Sequence, residues 1–346
     1  MIRKISALLM VLMIALGSVS ASTFVYKKEE GKVIDESSIS TSVTAPVFEF
    51  ESASQILIEA STGRVLYANN ENEKLLPASV TKVMTLLLLM EQIDSGKLSY
   101  DDKVVCSANA AGMGGSQIWF KENEELTIQE AIKAIAVVSA NDVTVAIAEK
   151  IGGTEGNFVN MMNEKAKELG MENTHFMNSH GIDEEDHYTT AKDIAIMSRE
   201  LITKHPDILN FTSIWQDSLR NGEFTLSSTN KLIRYYEGAN GLKTGSTSQA
   251  LFNLSASATR NGMTLISVVM KAPSSDIRLQ ETKQLLDFGF ANYEVKKICE
   301  KEEILDAIQV NKNISDMIET QIGEEVTILT EKGSNPEIEK VISYNE

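Results

Sequence analysis

Positive charge is in short supply: 32 Lys and Arg stand against 49 Asp and Glu, for a net charge of −17. The acidic excess is spread widely, which excludes the basic patch of a nucleic-acid-binding protein. Cysteine is rarer still. Cys106 and Cys299 lie far apart in the sequence, and neither has a Cys or His neighbour at metal-ligand spacing. A disulfide framework and a cysteine-based metal site are thereby excluded, and both residues read as ordinary buried or semi-buried thiols. With only four histidines and no Gly-x-Ser-x-Gly elbow, a Ser-His-Asp hydrolase has little to stand on. There is no internal repeat.

What is present describes a globular chain. A 42% hydrophobic and 23% charged composition over 346 residues suits one large domain with a smaller one, or two of medium size. The N-terminus carries a targeting segment. "MIRK" is a basic start, "ISALLMVLMIALG" an apolar core too short for a comfortable membrane span, and "SVSA" a small-residue site for cleavage after Ala21. An exported protein is expected, with residues 1–21 removed. Residues 22–46, rich in Ser, Thr and Glu without apolar periodicity, read as a linker.

From residue 47 the patterns become regular. "QILIEASTGRVLYA" predicts a hairpin over 55–68. Pro77 introduces "ASVTKVMTLLLLM", a helix that runs to about Ser95, stops at Gly96 and is apolar on every side, as a helix buried inside a large domain is. Thr127 and Glu130 form a Thr-x-x-Glu capping box, and Asn141 is a candidate cap for a helix that stops at Gly152 and Gly153. "GNFVNMMNEKAKELG" and "TTAKDIAIMSRELITKHP" show helical spacing. Beyond Asn240 the period becomes that of strands, with Asn261-Gly262 as a strong hairpin turn, followed by a helix over 275–290. The expected fold is α+β: the first hairpin beside the last in one antiparallel sheet flanked by helices. This domain is expected over 47–293, and residues 294–346, acidic and alternating, read as a short β-rich module.

Three short elements carry chemistry. Ser79 and Lys82 are three apart at the mouth of the apolar helix, so a lysine desolvated by its neighbours can take the proton of a serine hydroxyl. A serine at a helix start also sets its backbone N–H among unpaired donors suited to an oxyanion. By itself Ser-x-x-Lys is weak, since a cap serine and a snorkelling lysine give the same pattern. It is followed, however, by Ser139-Ala140-Asn141 at a helix-to-helix junction and by Lys243-Thr244-Gly245 at the start of a strand. Ser-x-x-Lys, Ser-x-Asn and Lys-Thr-Gly in that order are the signature of penicillin-recognising serine enzymes.

Within that group the chain resembles the D-alanyl-D-alanine carboxypeptidases, the low-molecular-weight penicillin-binding proteins. The likeness runs from about Pro46 to Glu294 and includes "ELGMENTHFMNSHGID", "HYTTAKDIA", "NGLKTGSTSQALFN" and "QLLDFGF". It implies a β-lactamase/transpeptidase-like fold, no cofactor or metal, and peptidoglycan stem peptides as substrate, with β-lactams as covalent inhibitors. It also implies roles. Ser79 is the acyl-accepting nucleophile, Lys82 its base, and Ser139 a proton relay to the leaving amine. Asn141 holds Lys82 and the substrate amide. Lys243 keeps the neighbouring amine uncharged and attracts the substrate carboxylate, which Thr244 hydrogen-bonds. Gly245 belongs to the same substrate strand, and Ser246 supplies the second oxyanion N–H. Arg278 falls where the family places an arginine reading the terminal carboxylate. Relatives often end in a membrane-gripping amphipathic helix, whereas this chain ends "VISYNE", so no C-terminal anchor is expected. The expected location is the outer face of the cytoplasmic membrane or the cell wall.

Four competing readings remain. A class A β-lactamase needs a deacylating glutamate, and the Glu-x-x-Leu-Asn stretch is missing after Asn141. The cluster in "HGIDEEDHY" invites a metal, but it lacks histidines at helical i, i+4 spacing and reads as a hydrogen-bonded, solvated turn. A D,D-endopeptidase or a penicillin-binding module without turnover would carry the same three elements.

Overall fold

The computed structural model describes residues 48–302, 304–309, 317–322 and 326–334, with two strand pieces at Lys27–Lys28 and Lys32–Val33. The expected signal segment and, those pieces apart, the linker lie outside the described residues.

Five strands make the main sheet: β1 (Ser54–Glu59), β2 (Val65–Asn69), β3 (Ala239–Thr247), β4 (Leu251–Arg260) and β5 (Met263–Ala272). Their order is β2-β1-β5-β4-β3, antiparallel throughout, so the first hairpin does lie beside the last. The β4–β5 turn is Asn261-Gly262, with φ of 50° and 79°, the two left-handed residues that a type I′ hairpin requires. β1 is buried along its whole length because both sheet faces are covered.

On one face Ile56, Ile58, Ile266 and Val268 join the main apolar core. Here lie α1 (Lys82–Asp94), α2 (Ile128–Val138), α3 (Asn141–Gly152), α4 (Glu155–Glu168) and α5 (Ala191–Lys204). α1 packs among α3, α4 and α5, and every residue from Lys82 to Met90 is buried, as its unbroken apolar run predicts. On the opposite face α6 (Ser275–Asn292) sets Gly289 directly over Leu57 and Leu265. The Thr127–Glu130 capping box is formed in both directions.

The chain divides into two compact units, one of them spanning Pro46–Ala291. Beyond it the described residues are strands: β6 (Tyr293–Cys299) pairs with β9 (Val326–Glu331), and β7 (Ile304–Gln309) with β8 (Met317–Gln321), both antiparallel.

Candidate active site

A single 3-10 turn, Ala78–Thr81, joins Pro77 to α1 and carries Ser79. In such a turn residues three apart eclipse each other, which brings Lys82 under Ser79 with Nζ 3.0 Å from Oγ. Lys82 is 0% exposed. Its Nζ also donates to Asn141 Oδ1 and to the backbone carbonyl of His180, each at 2.6 Å. Burial drives the amine well below the usual lysine range, and Lys243 adds to the shift against an opposing pull from Asp142. A neutral amine has two hydrogens and one lone pair. Two carbonyl oxygens take both hydrogens, so the lone pair is left for the Ser79 hydroxyl.

Asn141 is not the helix cap that its residue type suggests. Ala140 occupies the cap position and Asn141 is the first residue of α3. Its Nδ2 donates to Gly114 O at 2.8 Å, which turns Oδ1 toward Lys82. Ser139 stands at the α2–α3 junction with a left-handed φ of 65°, and its buried Oγ makes no hydrogen bond among the described residues. An unsatisfied buried hydroxyl costs about 1–3 kcal/mol.

Lys243, Thr244 and Gly245 lie in the middle of β3 rather than at its start. Gly245 is glycine because β3 passes hard against the Ser79 turn: a Cβ there would lie 2.7 Å from Pro77 O and 3.0 Å from the backbone nitrogens of Ser79 and Val80. The Ser79 N–H is thus set beside the strand that continues into exposed Ser246. Lys243 is 1% exposed, donates to Thr244 O at 3.1 Å, and is pushed down to about 7 by burial and by Arg278. Arg278 is buried near the start of α6. It reaches Asn253 O at 3.2 Å and Ser275 Oγ at 3.3 Å, leaving its buried Nε without a partner. Among the described residues no carboxylate pairs with it. Thus Ser79 and Asn141 meet at the Lys82 amine, Gly245 abuts the Ser79 turn, Lys243 acts on Lys82 through its charge, and Arg278 acts on Lys243.

The segment "HGIDEEDHY", read above as a hydrogen-bonded, solvated turn, does leave Glu184, Glu185 and Asp186 exposed, but it buries both histidines and, with Asn178 before it, backs the Ser79 turn. His180 and His187 are buried and held neutral by desolvation, at about 3 and about 4. His187 Nδ1 accepts from Met177 N at 2.9 Å, so its Nε2–H is the donor to Thr81 Oγ1, also at 2.9 Å. Asn178 clamps the segment, accepting from Gly181 N at 2.7 Å and donating to Ile182 O and Glu184 Oε1. Gly181 comes so close that a Cβ would lie 1.9 Å from Ala78 O. Nothing in the sequence pattern announces a backbone carbonyl as the partner of Lys82.

A helix-flanked antiparallel sheet presenting a desolvated Ser-Lys pair beside a Lys-Thr-Gly strand defines the penicillin-recognising serine enzymes. Within that class the chain belongs to the D-alanyl-D-alanine carboxypeptidase family of S11 peptidases, whose sequence profile matches residues 39–274. It is 42% identical over 336 residues to the D-alanyl-D-alanine carboxypeptidase DacF of Bacillus subtilis, covering 96% of this chain and 82% of that one. It is 36% identical over 269 residues to DacA of Haemophilus influenzae, covering 75% and 66%. Among solved structures, penicillin-binding protein 5 from Haemophilus influenzae aligns with a TM-score of 0.74 at 32% identity, over 84% of this chain and 85% of that one. Penicillin-binding protein D2 from Listeria monocytogenes in its ampicillin-bound form aligns at 0.65 and 29%, over 71% and 100%.

Proposed function

We propose that the protein removes the terminal D-alanine from peptidoglycan stem pentapeptides through an acyl-enzyme on Ser79. The observation that carries this reading is the fully buried Lys82 amine, 3.0 Å from Ser79 Oγ and fixed there by two carbonyl partners. Ser79 Oγ attacks the carbonyl of the penultimate residue while its proton passes to Lys82. The oxyanion is held by the N–H groups of Ser79 and Ser246. On collapse the C–N bond breaks, and the proton reaches the departing D-alanine amine through Ser139. A water molecule then attacks the ester, giving its proton to the same base, and releases the shortened peptide and free Ser79. Lys243, Thr244 and Arg278 bind the terminal carboxylate. Lys243 and Arg278 are both buried, and among the described residues no carboxylate pairs with either, which supports that assignment. Penicillin acylates Ser79 by the same route but blocks it. Such a substrate lies outside the cytoplasm, in keeping with export into the cell wall.

Intact-mass measurement after exposure to penicillin, paired with D-alanine release from a model pentapeptide, tests the reading. One penicillin adduct is expected on the wild type and none on Ser79→Ala. An adduct on that variant, or no D-alanine release by the wild type, overturns it.

A further inference from the structure

Thr244 has a partner that the motif does not include. Thr229 lies in a short loop after the hairpin of Gln216–Leu219 and Phe224–Ser227. The loop is tied on both sides. Thr229 N donates to Val137 O at 3.2 Å, two residues before Ser139, and Asn230 Nδ2 donates to Gly241 O of β3 at 3.0 Å. It therefore bridges the helix that leads to Ser139 and the strand that carries Lys243 and Thr244. The side chain of Thr229 is exposed while Thr244 is nearly buried, and their Oγ1 atoms are 2.6 Å apart.

Counting hydrogens decides the direction of that bond. Each threonine hydroxyl has one hydrogen, and a carboxylate only accepts. Once Thr244 gives its hydrogen to a substrate carboxylate, the hydrogen between the two threonines has to come from Thr229. We propose that Thr229 is a specificity-determining positioning residue: its hydroxyl donates to Thr244 Oγ1 and thereby holds the Thr244 O–H as a donor toward the terminal carboxylate. This rests on the reading of Thr244 as a carboxylate reader. A chain of two hydroxyls ending on an anion polarises in one direction, which strengthens the terminal bond. Substrates without the charge gain nothing from it.

The test compares Thr229→Val, which keeps the shape and deletes the hydroxyl, with Thr229→Ser, which keeps the hydroxyl. Each is assayed on a pentapeptide ending in free D-alanine and on its C-terminal amide, and by acylation with penicillin G and its methyl ester. Thr229→Val is expected to lower kcat/KM on the free acid by about three- to tenfold, mostly through KM, as for one hydrogen bond lost. The neutral amide and ester should react as with wild type, and Thr229→Ser should restore the preference. Because Thr229 is exposed, both variants should melt as the wild type does; if the valine variant does not, Thr229→Ala replaces it. No loss, or an equal loss on charged and neutral substrates, overturns the proposal and leaves the carboxypeptidase reading intact. A wild type without preference for the free acid overturns the Thr244 assignment itself.

Discussion

At the scale of single residues the proposed mechanism asks opposite charge states of two buried lysines. Burial drives Lys82 well below the usual lysine range, and as the proposed base it would be a neutral amine set between Ser79 Oγ, Asn141 Oδ1 and the His180 carbonyl. A guanidinium stays protonated at any working pH. Lys82→Arg should therefore put a fixed charge where the base needs a lone pair, and slow penicillin acylation at least about a hundredfold, the usual worth of a positioned general base. Near-normal acylation in a mass time course would remove Lys82 from that role. Lys243 does the reverse work, as a cation, and burial with Arg278 brings it down to about 7. Below that pH it is charged and attracts a carboxylate; above it the charge is lost. The kcat/KM of a free-acid peptide should accordingly decline as pH rises through about 7. An amidated peptide should lack that alkaline limb, and Lys243→Arg should move it out of range. Parallel pH–rate profiles for the two peptides in wild type and variant decide this.

At the scale of elements, the segment from Asn178 to His187 supports the Ser79 turn as a wall supports a beam. Gly181 has a φ of 93° and no room for a Cβ against Ala78 O. Gly181→Ala should cost about 1–3 kcal/mol of stability through overpacking. It should also slow acylation more than about tenfold, since the His180 carbonyl and the Ser79 turn would shift together. Unchanged melting and acylation would show that the segment gives way freely. Elements of this kind explain what could be read beforehand. The capping box, the Asn261-Gly262 turn and the three motifs were legible because each needs particular side chains at short, fixed spacing. The backing segment was not, because its decisive group is a peptide carbonyl, which every residue possesses, set against Lys82 from 98 positions along the chain. Asn141 misled for a related reason: asparagine suits a helix cap, but here the Lys82 amine claims its oxygen. Lys243 was placed at a strand start because glycine and asparagine precede it, whereas pairing with β4 already begins at Ala239.

At the scale of the whole molecule, the main core cluster begins at Ile56 and ends at Met270, wholly inside the unit Pro46–Ala291. The groups assigned to catalysis and carboxylate binding lie between Ser79 and Arg278, so they share that unit. A chain of residues 46–293, which retains all of α6, should therefore fold alone and be acylated by penicillin within about twofold of the full-length rate, a difference of under half a kcal/mol in the barrier. A collapse of acylation on truncation would mean that the C-terminal strands belong to the catalytic fold. The expected bounds of the large domain come from a change of pattern on both sides of it, from a Ser-, Thr- and Glu-rich stretch before residue 47 to short acidic alternation after 293.

The two carbonyls that grip Lys82 also determine how many protons are in flight. In the proposed mechanism both amine hydrogens stay anchored before and after the serine proton arrives, so they would be spectators and a single hydrogen would change hands as the acyl bond forms. In mixtures of light and heavy water the acylation rate should fall along a straight line against deuterium content, the mark of one isotopically sensitive site. A bowed line would mean that Ser139 moves its own hydrogen in the same step.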